Sequence, residues 1–311
     1  MMNFKNHTSS FGSAAKKDFV RNRALYLMVV PVIVYYIMFY YVPMYGTIIA
    51  FKDYMPVKGI LGSPWVGFQH FKDFFESPYF GVVLGNTLKI SLSMLAVGFP
   101  APIILALLIN EMKNVRYAKV VQNITYLPHF ISIVVICGMV KTFTKDDGIV
   151  NTLLAFFGFH KTSLLLHKEY FLPVYVISGV WQNIGWSSII YLAALSGVDQ
   201  GLYEAAKIDG ASRWKQTLHV TLPSIVPTIV TMLILNVGQV LGVGYEKILL
   251  LYNDATASVA EVISTYVYKK GLIDQSWSFS AAVGLFNSVV NLILLVAANK
   301  LSKQATEVGL W

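Results

Sequence analysis

Glu204–Pro223 reads EAAKIDGASRWKQTLHVTLP, a polar stretch set between two long apolar runs in a chain that otherwise avoids charge. Alanine and glutamate are good helix formers, so Glu204, Ala205 and Ala206 favour a short exposed helix. Asp209-Gly210 breaks it, because glycine reaches positive φ at little steric cost. A second helix can start at Ala211 and run to Val220, with Pro223 marking entry to the next apolar run. A loop with this much internal structure is shaped to be gripped.

Outward from this loop, composition sets the class. Of 311 residues, 56% are hydrophobic and 13% charged. Runs near the ~20 apolar residues needed to cross a hydrocarbon core recur along the chain. Six qualify: Ala24–Ile49, Thr87–Ile109, Val120–Val140, Leu172–Leu195, Ser224–Gly244 and Phe279–Asn299. A soluble domain could not hide that much apolar surface behind so few charges. The expectation is an all-α membrane protein. The first run follows basic residues, as a signal peptide would, but it is too long, holds Pro31 and Pro43, and lacks a small-residue cleavage pattern; it reads as a retained span. Cys137, the single cysteine, lies inside the third run and suits apolar packing.

Basic residues give the orientation. With the N-terminus inside, thirteen Lys and Arg fall in cytoplasmic segments, against ten spread over distinctly longer outer loops. Acidic residues divide six inside to ten outside. This is the positive-inside pattern, and it places Glu204–Pro223 in the cytoplasm with both termini. The net charge of +8 thus has a topological cause, and no nucleic-acid partner is needed to explain it.

The loop pairs Glu204-Ala205-Ala206 with Asp209-Gly210-Ala211 and, after a ten-residue spacer, Leu222-Pro223, with Val220 at an apolar position. It resembles the EAA loop of binding-protein-dependent ABC importer permeases. The likeness extends along nearly the whole chain. VPMYG at Val42–Gly46, SPWVGFQHF at Ser63–Phe71, YLPHFIS at Tyr126–Ser132, YEKILLLYN at Tyr245–Asn253, ISTYVY at Ile263–Tyr268, AVGLFNS at Ala282–Ser288 and the terminal Gly309–Trp311 are similar to the oligosaccharide permeases of the alginate and pectin-fragment type. Gln200-Gly201 departs from the Pro-Glu that the family often carries before Leu202.

That resemblance implies a six-helix type I ABC importer transmembrane domain, multi-pass in the bacterial cytoplasmic membrane. A cytoplasmic N-terminal tail would occupy residues 1–23, the permease domain 24–299 with its coupling loop at 197–223, and a cytoplasmic C-terminal tail 300–311. It implies as partners a second homologous permease, two ATPase subunits, an extracytoplasmic sugar-binding lipoprotein, an oligosaccharide substrate and the bilayer. No catalytic residue, cofactor or metal site is expected in this chain; ATP and Mg would sit on the partner ATPase. The resemblance assigns ATPase coupling to Leu202, Tyr203, Glu204, Ala205, Ala206, Asp209, Gly210 and Ala211. The short helix would enter a cleft on the ATPase, small Ala205 and Ala206 permitting close approach and Glu204 meeting a basic group. The bland alternative is a solvated loop, which holds most strongly for Arg213, Trp214 and Lys215.

The residues themselves show no energy source. A phosphate-cradling Walker A motif needs Gly-Lys, a dipeptide absent here. Ion-coupled carriers usually place charges midway through their spans, yet these six hold no Asp or Glu at mid-depth, and Lys89 lies near an end. A stand-alone channel or secondary carrier for a polar solute is the alternative. A membrane enzyme acting on lipid-linked sugars would need a clustered acid/base or metal set, and none is apparent. His7, His70, His160, His167 and His219 have no ligand spacing; His129, beside Pro128, reads as a packing residue.

A sugar path needs hydrogen-bonding groups and aromatic faces inside the spans. Gln182, Asn183 and Trp186 with Ser187 fall on adjacent strips of the fourth span, and Asn236 and Gln239 stand at i, i+3 in the fifth. These residues either line the path or bond between helices. Glu246, at the outer end of the fifth span, either gates the path or meets water. For Ser280, Gly284, Asn287 and Asn291 of the sixth span, interhelical bonding is favoured. Pro100, Pro102 and Pro128 interrupt the second and third spans, giving either kinks that serve rocking or static packing. The aromatic-rich outer loop from Trp65 to Phe80 suits an interfacial belt or a small folded cap.

Overall fold

The computed structural model describes residues 18–311, so most of the expected N-terminal tail lies outside the described residues. The described chain is helical, with one isolated bridge, Lys52 to Trp65, as its sole extended pairing. The first span begins as α1 (Arg23–Tyr36) and continues through a π turn to a 3-10 segment ending at Phe51. A short helix α2 (Gln69–Glu76) follows outside. The second span is α3 (Phe80–Gly98) running into α4 (Pro100–Asn110), where the prolines sit at a helix start that needs no donor. Next come α5 (Val115–Tyr126), α6 (Ile133–Phe143) and the long fourth span α7 (Lys168–Ser196). The cytoplasmic helix α8 (Gln200–Ile208) leads to α9 (Leu222–Val237). Outer helices α10 (Tyr245–Leu251) and α11 (Ile263–Tyr268) precede the sixth span, α12 (Trp277–Thr306).

Three clusters hold these elements together. The outer one joins Ile90 of α3, Ile136 and Cys137 of α6, Phe171 and Tyr175 of α7, and Ile248 and Leu251 of α10. The inner one joins Ile103 and Ala106 of α4 with Tyr191 and Leu195 of α7 and Ile225 of α9. A third packs Phe74 of α2 against Val83, Ile263, Tyr266 and Val283. Phe74 is buried beside Phe80, Tyr266, Phe279 and Phe286, so the aromatic-rich loop forms a folded cap; Trp65, Phe68 and Tyr79 remain exposed around it.

Three expectations are corrected. The third span is not one helix: Val115–Phe130 and Ile133–Phe143 meet at 101°. Pro128, in a 3-10 turn, has no N–H for the carbonyl one turn back, and Ile131 and Ser132 are extended. The fifth span does not reach Gly244 as helix; it ends at Val237, where Gly238 opens turns to Leu241 that give way to the irregular stretch Gly242–Gly244. The second helix of the cytoplasmic loop does not stop before Pro223. Arg213–Val237 is one continuous helix, and a π turn at Thr217–Thr221, with Leu222 N–H donating to the Thr217 carbonyl, widens it just ahead of the proline ring.

Among the described residues four helices, those of the first, second, fifth and sixth spans, are long and apolar enough to cross a membrane, and the bent pair, taken as one broken span, makes a fifth. α7, at 29 residues, is long enough for the remaining crossing and more polar. Gly185 of α7 lies against the α5 backbone, where any Cβ would collide with the carbonyl of Thr125. Outside, Lys269 donates to Glu261 at 2.8 Å. Burial works against the Lys269 ammonium, but Glu261 and the Tyr252 ring outweigh it and hold its pKa above the usual lysine value. At the far end α12 outruns its expected limit; the chain reverses at Glu307, and the Leu310 N–H reaches Asn299 Oδ1 at 2.7 Å.

Candidate functional site

The cytoplasmic helix α8 is defined at both ends by its own residues. Asp199 caps the start, its carboxylate accepting from the Gly201 N–H at 2.9 Å. Gln200-Gly201 therefore begins the helix without the proline that often stands there. At the other end Gly210 takes φ +74°. Its N–H donates to Lys207 at 3.1 Å and the Ala211 N–H to Ala206 at 2.9 Å, the paired closure of a Schellman turn. Ser212 then caps Arg213–Gln216.

One side of α8 faces its own bundle. Tyr203 packs on the inner cluster, and its hydroxyl meets that of Thr221 at 2.9 Å. Ala206 and Ala211 are half-buried. The other side is open: Leu202 is 49% and Ile208 87% exposed, with Glu204, Ala205 and Asp209 beside them. Ile208 escaped the sequence reading although its position in the helix could have shown it. Arg213 reaches Glu111 of the inner loop at 3.5 Å, and Trp214 is exposed.

Deeper in the bundle, α3, α7 and the turns after α9 enclose a cavity of about 310 Å³, within the range of small-ligand sites. Asn183, Asn236 and Gln239 all line it, together with Ser91, Tyr175 and Ser187. Gln239 reaches it from the turn beyond Val237, so it shares a wall with Asn236 without sharing a helix face. Gln182, Trp186 and Glu246 do not line it. Neighbouring residues of an α-helix point about 100° apart, so the strip of α7 that carries Val180, Asn183, Ile184 and Ser187 turns Gln182 and Trp186 elsewhere. Gln182 is buried among helices, and Glu246 is exposed.

Trp186 instead stacks on His129, ring centres 4.5 Å apart and planes at 4°. His129 Nδ1 lies 3.1 Å from Asn183 Oδ1, while the Asn183 amide donates to the Gly179 carbonyl. The elbow of the third span thereby fixes one wall of the cavity. In the sixth span Asn291 accepts from the Leu241 N–H at 3.0 Å, and Ser280 donates to Val267. Ser280 thus bonds to a neighbouring helix as expected, Asn291 bonds to the turn after α9, and the buried Asn287 Oδ1 has no partner among the described residues. No group of three metal-ligating side chains occurs among the described residues.

Residues 98–306 match the family described as "Binding-protein-dependent transport system inner membrane component". The chain is 46% identical over 293 residues to the polygalacturonan/rhamnogalacturonan transport system permease protein YteP of Bacillus subtilis (strain 168), covering 94% of this chain and 91% of that one. It is 43% identical to protein LplB of the same organism, covering 94% and 92%. Among solved structures it is similar to a bacterial ABC transporter involved in the import of the acidic polysaccharide alginate. The TM-score is 0.86 at 43% identity, over 94% of this chain and 99% of that one. A second structure of the alginate transporter, with an alginate pentasaccharide-bound periplasmic protein, matches equally well.

Proposed function

Since this chain belongs to the family of binding-protein-dependent transport system inner membrane components, we propose that its α8 loop is the coupling contact for separate ATPase subunits. The chain is a multi-pass permease of an ABC importer for oligosaccharides, with a type I fold in the bacterial cytoplasmic membrane. Family membership sets aside the stand-alone channel or secondary carrier.

One observation carries the coupling reading. Leu202, Ala205 and Ile208 form an open strip on a helix that Gly210 closes and Tyr203 ties to the base of the fifth span. An ATPase cleft closing on this strip would pull on α9 directly. ATP and Mg would be bound by those partners. A second homologous permease fits the first span, which buries no residue of this chain from Arg23 to Met44. An extracytoplasmic binding protein would deliver the sugar to the outer face; the alginate transporter forms a complex with an alginate pentasaccharide-bound periplasmic protein. Asn183, Asn236 and Gln239 would meet its hydroxyls.

The test is co-purification from native membranes, followed by ATPase assays with candidate oligosaccharides. An ATPase should travel with the chain, and its activity should rise with one class of glycan. Recovery of a fully working translocator with no ATPase attached would defeat the reading.

A further inference from the structure

We propose that Lys247, beside the Met94 side chain that lines the cavity, forms with the cavity-lining Ser91 a carboxylate-recognising subsite that selects acidic over neutral oligosaccharides. This rests on the importer reading above and names the cargo's charge.

Lys247 stands on α10 and is only 8% exposed. Its ammonium donates to the Tyr175 carbonyl at 3.0 Å and lies 4.7 Å from the centre of the Tyr175 ring. An ammonium has three donors, and the carbonyl takes one. Among the described residues, none of the ion pairs includes Lys247. A buried charge with no counter-ion is costly to a fold, and an ionisable group in the core of a transporter points to function. The spans offer no acid at mid-depth to neutralise it. A partner from outside the chain would balance it.

The surroundings say what that partner is. A Cβ at Gly179 would lie 3.1 Å from Lys247 Nζ and 3.1 Å from Met94 Cε. Ammonium, thioether and α7 backbone thus converge at one spot. Met94 and Tyr175 both line the cavity, and so does Ser91, whose buried Oγ has no hydrogen-bond partner. Ser91 and Met94 stand three apart on α3 and share a face. The Ser91 hydroxyl already faces the cavity, and the Lys247 ammonium lies beside Met94, a flexible, unbranched side chain on the cavity lining. Met94 swinging aside would open the ammonium to the cavity. A sugar carboxylate can accept from both groups at once, whereas a sugar hydroxyl leaves the charge unbalanced.

The test uses the complete transporter, with its ATPase and binding protein, in proteoliposomes. The probes are trigalacturonate and its methyl ester, which share a shape and differ in charge. The binding protein is common to every assay, so a change in the acid-to-ester ratio of uptake kcat/KM reports on the permease. Lys247→Met is expected to lower that ratio roughly tenfold or more, as loss of a charge-assisted bond should, and Ser91→Ala roughly threefold. An unchanged ratio in Lys247→Met overturns the subsite and leaves the importer reading intact. ATP-driven uptake of neither probe by an unaltered transporter that imports neutral oligosaccharides overturns the subsite and leaves the importer reading intact. If Lys247→Met does not assemble, Ser91→Ala carries the test, and an unchanged ratio there overturns the subsite.

Discussion

The side-chain oxygens of Tyr203 and Thr221 lie 2.9 Å apart, joining the exposed cytoplasmic helix to the first turns of the fifth span. Eighteen residues separate them in the chain. The Schellman turn at Gly210 folds the intervening segment back so that they meet. Tyr203→Phe removes this bond, worth about 1 kcal/mol, while the ring keeps its packing. Sugar uptake per ATP hydrolysed should fall with assembly intact; measuring both in proteoliposomes checks it, and an unaltered ratio would show that the bond transmits nothing.

Gly210→Pro should leave the spans inserted and abolish ATP-driven uptake. Proline fixes φ near −65°, whereas Gly210 stands at +74° and donates its N–H to Lys207. Gly210→Ala, strained by roughly 1 kcal/mol, should give a partial loss. Normal uptake by the proline variant would remove the turn from the coupling path.

Ile208→Asp places a charge on the open strip of α8. Because Ile208 touches little of its own chain, the span bundle should assemble as before. ATPase recovered by affinity purification should drop at least about tenfold, as for an interface anchor. Undiminished recovery would move the contact elsewhere.

Gln239→Leu removes a polar group from the cavity wall. Substrate-stimulated ATP hydrolysis should change more than complex yield. A stimulation curve superimposable on that of the unaltered protein would take Gln239 out of the sugar path.

Glu261→Gln weakens the outer contact to Lys269, which is mostly buried and worth about 1 kcal/mol. Proteolytic nicking within residues 252–276 should rise at pH 7. In the unaltered protein the raised Lys269 pKa contributes stability in full below the ordinary lysine pKa of about 10.4. That stability is lost only as pH climbs through the folded value. Nicking should therefore be flat from pH 6 to 9 and increase in stronger alkali.

Much of this architecture was legible because its causes are local. The glycine turn at 210 and the apolar runs are written in neighbouring residues. The elbow at Pro128 was harder, since a proline in an apolar run reads alike whether the helix bends slightly or breaks. Asn236 and Gln239 were paired on a helix that Gly238 ends between them, yet the turn still brings both to one wall. Gln182 and Asn183 could not both face the cavity, and spacing alone does not say which does. Tyr245–Leu251 lies beyond the fifth apolar run and carries the charged Glu246 and Lys247, yet its Ile248 and Leu251 enter the core. Burial of Lys247 depends on Tyr175, seventy-two residues away, and no local pattern announces such a contact.

The 101° elbow also bears on biogenesis. Its two arms are roughly 24 and 17 Å long at 1.5 Å per residue, and each falls short of the ~30 Å lipid interior. Extended backbone at the bend can be sheltered only by protein, and there Ile131 packs on the cluster that holds Phe171 and Tyr175 of α7. A nascent polypeptide halted before α7 emerges from the ribosome would hold a half-built crossing. Insertion of the third crossing is thereby tied to synthesis of the fourth.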